Sequence, residues 1–301
     1  MPITLHPITR RRFLAGAAAT GASLVLSRYG FSDERQADPN RFALLSDTHI
    51  DADRMKRDTN VVMYDYLKQT IEEVKALDPP PAAMFVNGDC AHLRGLSEDY
   101  RQFLGLIEPI RKAGCPIHLA MGNHDERQNF WEALPADADR VKEIEERQVL
   151  VVPTSRADWV MLDSLDKTNS TPGILGDAQI QWLAKELDKR KEKPVIVMVH
   201  HHPATGEKTQ GLIDTQKLLD VLLPRRQVKA LLYGHTHVWK VEKREDLHCV
   251  NLPTTAYVFR PGEPAGWVDA HLRDDGMLLE LRCLDNTHLK NREKHDLIWR
   301  T

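Results

Sequence analysis

An apolar run passes directly into a polar turn in the stretch PIHLAMGNHD, residues 116–125. The first six residues are mostly apolar and predict a short strand, and Gly122 then lets the backbone bend. The turn that follows offers an amide, an imidazole and a carboxylate at Asn123, His124 and Asp125. Since Asn, Asp and Gly are common turn residues, this stretch alone predicts only a strand and a turn.

Four further polar clusters in the chain also follow apolar runs. They are Ser46-Asp47-Thr48-His49, Asn87-Gly88-Asp89, His200-His201-His202-Pro203 and Gly234-His235-Thr236-His237. Because residues i and i+2 of an extended chain share a side, Asp47 and His49 can face one ion together. Five strand ends that carry Asp, Asn and His therefore indicate one metal site assembled from across the chain.

Apolar runs and helical periodicity alternate along most of the sequence. Strands are predicted at residues 41–45, 82–86, 116–121, 159–163, 194–199 and 228–233, and helices at 59–77, 97–111, 173–191 and 212–223. This alternation is typical of βαβ units, and α/β folds bind ligands beyond the carboxyl ends of their strands. Three later runs are predicted to be antiparallel strands that complete a second sheet, at residues 248–252, 266–273 and 277–284.

The composition is that of one globular domain. The chain has 301 residues, of which 42% are hydrophobic, and this is enough for one large core. Charged residues make up 28% and the formal net charge is −3. This balance provides no extended basic surface, so it argues against a nucleic-acid partner.

The first 37 residues differ from the rest of the chain. The basic stretch Thr9-Arg10-Arg11-Arg12-Phe13-Leu14 precedes an apolar run that ends at Leu26. The run is shorter than the roughly 20 residues of a membrane span, and its basic start is typical of a signal peptide. The paired arginines followed by Phe-Leu resemble the twin-arginine export signal.

We therefore predict a twin-arginine-type signal peptide at residues 1–37 and a single domain at residues 38–301. The predicted partners are the twin-arginine export machinery and a small-molecule substrate, with no stable membrane span. The predicted location is the periplasm or the extracellular space, with a tethered form if the signal stays uncleaved. The alternative reading of residues 1–37 is a disordered basic tail.

The sequence has four cysteines without CxxC spacing, namely Cys90, Cys115, Cys249 and Cys283. They are too sparse for a disulfide scaffold, and most lie in or beside apolar runs, so we predict buried thiols. Cys90 directly follows Asp89, but the other candidate ligands are oxygen and nitrogen donors, so no metal ligand is predicted at Cys90.

Seven side chains form the candidate metal-ligand set: Asp47, His49, Asp89, Asn123, one of the three histidines 200–202, His235 and His237. A tetrahedral zinc site needs four ligands, so seven donors with one shared carboxylate suit two ions with room for water. Mixed imidazole and carboxylate ligands fit Fe, Mn, Zn or Co better than Mg or Ca. Two such ions about 3.5–4 Å apart can support in-line displacement at phosphorus.

The motif order Asp-x-His, Gly-Asp, Gly-Asn-His-Asp, His and Gly-His-x-His resembles the calcineurin-like metallophosphoesterase family. The resemblance covers residues 41–284. It implies an α/β fold of the four-layer αββα type, in which two mixed β-sheets are flanked by helices. It also implies two divalent or trivalent transition-metal ions (Fe, Mn or Zn) and hydrolysis of phosphoester bonds by a metal-bound hydroxide.

The resemblance implies ligands for both ions: Asp47, His49 and His237 for the first, Asp89 as the bridge, and Asn123, His201 and His235 for the second. His201 is selected among the three histidines because the family's ligand precedes one residue and then a proline, here His202-Pro203. His200 would then point into the core.

Two residues of the central turn are implied to be catalytic. His124 resembles the family's non-ligand histidine, which would donate a proton or hydrogen bond to the leaving oxygen. Asp125 would hold the other ring nitrogen of His124 and fix its tautomer. Further candidates for substrate contact are His92, Arg94 and Tyr257, of which Arg94 suits phosphate best because its guanidinium is planar and charged.

The implied substrate is a phosphodiester or a phosphomonoester. The His-His-His-Pro segment is similar to cyclic-nucleotide phosphodiesterases, whereas export favours the scavenging of extracellular phosphoesters. Two alternatives stay open, a non-catalytic metal-binding scaffold of the same fold and a nuclease. The filled motif positions count against the scaffold, and the acidic charge counts against the nuclease.

Overall fold

The computed structural model describes residues 3–8, 35–138, 144, 147–204 and 209–301. The predicted twin-arginine stretch at residues 9–14 lies outside these ranges, as does the apolar run that follows it.

The described strands are β1 (Ile3–Leu5), β2 (Asp38–Leu45), β3 (Arg57–Asp58), β4 (Val61–Val62), β5 (Pro81–Asn87), β6 (Ile117–Ala120), β7 (Leu150–Pro153), β8 (Asp158–Met161), β9 (Val195–Met198), β10 (Val228–Tyr233), β11 (Lys240–Arg244), β12 (Leu247–Asn251), β13 (Gly266–Leu272), β14 (Gly276–Cys283) and β15 (Lys294–Ile298). The described helices are α1 (Met63–Lys75), α2 (Ser97–Lys112), α3 (Arg127–Ala133), α4 (Asp177–Asp188) and α5 (Thr215–Leu222).

The strands form two mixed sheets and one small hairpin, β3–β4. The first sheet has the order β1-β6-β5-β2-β13-β14-β15, in which β6, β5 and β2 are parallel and the other neighbours pair antiparallel. The second sheet has the order β11-β12-β10-β9-β8-β7, with a parallel centre and antiparallel strands at both edges.

Side-chain alternation along the central strands builds the layers. On β2, Ala43 and Leu45 pack toward α1, α2 and α3, whereas Phe42 and Leu44 pack into the core between the two sheets. A third core lies between the second sheet and helices α4 and α5. Both faces of the central strands are therefore buried, and this explains their nearly continuous apolar sequence. The predicted αββα sandwich is confirmed.

The prediction that all three late strands belong to the second sheet is wrong for two of them. Strands β13 and β14 belong to the first sheet, where β13 pairs antiparallel with β2, and only β12 joins the second sheet. Their alternating pattern predicts a strand with a buried face, but it carries no information about which neighbour supplies the hydrogen bonds.

An unpredicted strand, β1, lies at the edge of the first sheet. Ile3–Leu5 pairs antiparallel with β6, and Ile3 and Leu5 are fully buried. Arg111 makes two hydrogen bonds to the residues that follow β1. Its side chain donates to the carbonyl of His6, and its backbone carbonyl accepts from the backbone N–H of Ile8. Part of the range assigned to the signal peptide thus completes this sheet. Within the described part of the chain, no helix is both long enough and apolar enough to cross a membrane.

The four cysteines are buried free thiols, and the prediction for them is confirmed. Burial raises the pKa of Cys90 well above its usual value, and its Sγ lies 3.8 Å from the carbonyl oxygen of Ala120.

Candidate metal centre

The five polar clusters lie together beyond the carboxyl ends of β2, β5, β6, β9 and β10. Five of their non-glycine residues have positive φ: Asp47 (55°), His49 (46°), Asp89 (49°), His235 (70°) and His237 (54°). Such conformations cost of the order of 1–3 kcal/mol each for non-glycine residues and persist only where the surroundings enforce them. Their concentration in five donor residues indicates that the fold strains the backbone to aim these side chains at one place.

Two glycines allow the turns to approach each other. A Cβ at Gly122 would lie 2.1 Å from Oδ1 of Asp89, and a Cβ at Gly234 would lie 2.5 Å from Oδ2 of Asp47. Both distances are far below contact distance, so glycine is required beside each carboxylate.

The first group of donors consists of Asp47, His49 and His237, whose ligand atoms lie within 4.8 Å of one another. The Nε2 atoms of His49 and His237 are 3.1 Å apart, and Nε2 of His237 is 3.5 Å from Oδ1 of Asp47. The backbone carbonyl of Tyr257 accepts a hydrogen bond from Nδ1 of His237 at 2.6 Å. This hydrogen bond fixes the tautomer of His237 and leaves its Nε2 free to bind a metal.

The second group consists of Asp89, His200 and His235, also within 4.8 Å. Nε2 of His200 lies 3.3 Å from Oδ2 of Asp89, and Nδ1 of His200 donates to the carbonyl of Asn87 at 2.8 Å. Asp89 belongs as well to a third group with His49 and His124. Asp89 therefore lies between the two ligand sets, in the position predicted for the bridge.

The structure places His200, and not the predicted His201, in the donor group with Asp89 and His235. His201 belongs to none of the donor groups found among the described residues; its Nδ1 lies 2.8 Å from the hydroxyl of Ser164, and its buried Nε2 has no hydrogen-bond partner. Consecutive residues at a strand end point to opposite sides, so only one of these two histidines can face Asp89. The spacing to Pro203 predicts His201, whereas the distances around Asp89 favour His200.

Asn123, another predicted ligand, lines the same cavity as Asp89, His235 and His237. Its side chain is 3% exposed, and its Oδ1 is buried without a hydrogen-bond partner, as is Nε2 of His200. Buried polar atoms without partners are costly in a folded protein. A bound cation would satisfy both atoms, so the residues present fit a metal centre.

The two carboxylates and His235 are held in the forms that bind metals. His200 would have to release a proton, because burial lowers its pKa but Asp89 and Asp47 outweigh burial and raise it to about 10. Burial opposes ionisation of Asp47, but the imidazoles of His200 and His237 outweigh burial and lower its pKa to about 2. The pKa of Asp89 is likewise held well below its usual value by His200 and other imidazoles, against the effect of burial. Burial and the neighbouring His200 lower the pKa of His235 to about 3, so His235 is neutral. Ionised carboxylates and neutral imidazoles are the forms that bind metals.

His124 lies beside both groups without being fixed by Asp125. Its Nδ1 donates to the carbonyl of Leu93 at 3.0 Å, and its backbone N–H donates to Oδ1 of Asp89 at 2.8 Å. The hydrogen bond to Leu93 sets the tautomer and leaves Nε2 of His124 available to a substrate.

The role predicted for Asp125 is therefore wrong. Its carboxylate is fully buried and accepts from the backbone N–H groups of Gly122, Cys90 and Ala91 and from the hydroxyl of Tyr100, at 2.9–3.2 Å. Burial and the nearby Asp89 raise the pKa of Asp125 to about 6. Asp125 ties the turns after β5 and β6 together, so it positions the ligands and does not touch the imidazole of His124.

The three other candidates for substrate contact have different environments. His92 is buried, with Nδ1 3.2 Å from Asp51 and Nε2 3.5 Å from Asp58. Tyr257 is also buried, and its carbonyl orients His237. Arg94 is exposed.

A cavity of about 260 Å³ opens above the donor groups. Besides site residues it is lined by side chains that carry no motif: Asn169, Ser170, Thr171, Gln210 and Phe259. Sequence reasoning missed these residues because loop residues of these types have no diagnostic spacing. Among the described residues that line the cavity there is no lysine or arginine.

Comparisons with known proteins agree with this geometry. The model of the calcineurin-like phosphoesterase family matches residues 40–239. A 3',5'-cyclic adenosine monophosphate phosphodiesterase from Pseudomonas aeruginosa is 29% identical over 246 residues, which are 78% of this chain and 86% of that protein. A protein from Arcobacter nitrofigilis, named "Probable glycerophosphodiester phosphodiesterase", is 30% identical over 200 residues, 64% of this chain and 70% of that protein.

Among solved structures, a dimetal phosphatase from Danio rerio has the same fold. The TM-score is 0.65 at 13% identity, and the match covers 87% of this chain and 99% of that chain.

Proposed function

Since this chain belongs to the calcineurin-like phosphoesterase family, we propose that it hydrolyses small-molecule phosphodiesters at a centre of two transition-metal ions. The observation that carries the proposal is the position of Asp89 between two sets of donors. The first ion would be held by Asp47, His49, His237 and Asp89, and the second by Asp89, Asn123, His200 and His235. When bound, two such ions neutralise charge on the phosphoryl oxygens and activate water as a nucleophile.

The protein's own residues supply orientation and a proton. Nε2 of His124 is free because Nδ1 is held by the carbonyl of Leu93. In its protonated form, His124 can donate from Nε2 to the oxygen of the leaving alcohol as the phosphorus–oxygen bond breaks. The backbone N–H of His124 donates a hydrogen bond to the carboxylate of Asp89. The position of the His124 imidazole is therefore coupled to that of the metal ligands.

The described lining of the cavity favours a diester over a monoester. A phosphodiester carries one negative charge, whereas a phosphate monoester carries about 1.5–2 charges at pH 7. Besides the donor groups, the lining consists of neutral side chains. Among its described residues there is no lysine or arginine. Apart from the metal centre itself, the extra charge of a monoester would therefore meet no guanidinium or ammonium partner among the described residues of the lining. Two relatives named as phosphodiesterases agree with this choice.

The test compares hydrolysis of bis-p-nitrophenyl phosphate and p-nitrophenyl phosphate by the full chain loaded with Mn²⁺. We expect the diester to be cleaved with the higher kcat/KM, and Asn123→Ala to remove most of that activity because it deletes a buried oxygen donor. Hydrolysis of the monoester alone would shift the assignment to a phosphatase. Bound metal without hydrolysis of either substrate would favour the non-catalytic scaffold.

We also propose that the protein is exported by the twin-arginine pathway to the periplasm or the extracellular space. The support is the sequence Thr9-Arg10-Arg11-Arg12-Phe13-Leu14 and the apolar run after it. Arg10→Lys combined with Arg11→Lys is expected to keep the protein in the cytoplasmic fraction, because lysine does not reproduce the planar guanidinium. Immunoblots of cell fractions provide the measurement, with Arg28→Lys as the control. Unchanged export of the double variant would contradict the proposal.

A further inference from the structure

Phe259 is an exposed aromatic residue at the edge of the catalytic cavity. Phe259 is 60% exposed and begins the exposed stretch 259–262, which follows the buried residues 252–257 in the segment between β12 and β13. One face of the ring stacks on His237, with ring centroids 4.2 Å apart and an angle of 19° between the planes. A ring that covers a metal ligand on one side and remains exposed offers a flat apolar surface next to the reaction centre.

The donors of the second metal set adjoin a polar loop that also lines this cavity. Asn169 donates its backbone N–H to the carbonyl of Asn123 at 2.6 Å, and Thr168 donates its hydroxyl to the carbonyl of Asp125 at 2.8 Å. Thr168 and Asn169 are therefore held against the ligand turn itself, and Asn169 and the following Ser170 line the cavity. The cavity thus combines a flat apolar ring with uncharged hydrogen-bonding groups held in place.

We propose that Phe259 determines specificity by stacking against a planar aromatic or heteroaromatic ring of the phosphoester substrate. The proposal rests on the phosphoesterase function proposed above and adds the chemistry of the ester group. A flat ring with polar edges, such as a nucleobase, matches both the exposed face of Phe259 and the neutral hydrogen-bonding groups of the cavity. An aliphatic ester group would leave the face of Phe259 in contact with water.

The expected size of the effect follows from the energetics of stacking. Stacking of a nucleobase on an aromatic side chain is worth about 1–3 kcal/mol, which corresponds to roughly 5–150-fold in affinity. The stack on His237 also fixes one face of the phenyl ring, so little side-chain entropy is lost when the substrate ring binds the other face.

The test measures binding and does not depend on turnover. Isothermal titration calorimetry of the Mn²⁺-loaded full chain would compare adenosine 5'-monophosphate with methyl riboside 5-phosphate, which share phosphate and sugar and differ in the base. The nucleotide is expected to bind at least about 5-fold more tightly. Phe259→Ala should bring the ratio close to one, and Phe259→Trp should preserve it. The metal content of each variant is measured in parallel.

Each other outcome identifies which statement fails. Equal affinity of the two ligands for the wild-type protein, or a preference that survives in Phe259→Ala, would overturn the stacking proposal. Equal weakening of both ligands together with metal loss would show that Phe259 only supports His237, and would also overturn it. If neither ligand binds while bis-p-nitrophenyl phosphate is still cleaved, the ring subsite alone is refuted. If binding and hydrolysis are both absent, the phosphoesterase proposal fails.

Discussion

Asp89→Asn is expected to lower kcat/KM for bis-p-nitrophenyl phosphate by about 10³-fold or more. Asp89 is the only carboxylate common to two of the donor groups found among the described residues, and its backbone carbonyl also accepts from the N–H of His49. Asparagine keeps the shape but removes the charge that holds two cations close together. Loss of a single preorganised electrostatic contact already costs about 10²–10³ in rate, so loss of a shared ligand should cost at least as much.

Metal content provides the second measurement for this variant. We expect inductively coupled plasma mass spectrometry to find about two ions per wild-type chain and one or fewer in Asp89→Asn. Asp177→Asn is the matched control, because Asp177 is an exposed carboxylate at the start of α4, far from the ligand turns in sequence, and pairs with Lys217. A variant at Asp89 that keeps both ions and more than a tenth of the activity would contradict the role of Asp89 as the bridge.

The fold was predictable because its central strands are buried on both faces. Their apolar runs alternate with helical periodicity, and each ends in residues that can bind metal. Which strand pairs with which is harder to predict from the sequence, because pairing depends on packing between segments that are distant in sequence. For this reason β13 and β14 were predicted as strands but assigned to the wrong sheet, and the pairing of β1 with β6 was not foreseen.

The metal site was predictable at the level of residue types and less so at the level of side-chain direction. Positive φ angles at the donor residues turn the chain sharply, so adjacency in sequence does not imply contact. Asp125 follows His124 directly, yet its carboxylate turns inward to the backbone of the neighbouring loop. Three consecutive histidines have no periodicity that selects one, and only the direction of the strand end shows that His200 faces Asp89. Phe259 belongs to no motif at all.

Removal of β1 is expected to produce the largest loss of stability. Ile3 and Leu5 are fully buried in the core between the first sheet and its helices, although they lie within residues 1–37, the range predicted to be a signal peptide. Truncation of a buried leucine costs about 2–5 kcal/mol, and domains of this kind have total stabilities of about 5–15 kcal/mol. Deletion of residues 1–8 would remove both side chains, expose the edge of β6 and leave the guanidinium of Arg111 without the carbonyl of His6.

Leu5→Ala is the milder variant that keeps this prediction testable if the deletion does not fold. Urea denaturation should show a decrease of about 2–5 kcal/mol in the free energy of unfolding, with a similar m-value. Leu289→Ala is the matched control, because Leu289 is fully exposed and should change stability by less than about 0.5 kcal/mol. Equal stability of the two variants would show that β1 is not part of the cooperative fold. If export removes residues 1–37, the processed domain loses this strand, so residues 38–301 should denature at a lower urea concentration than the full chain.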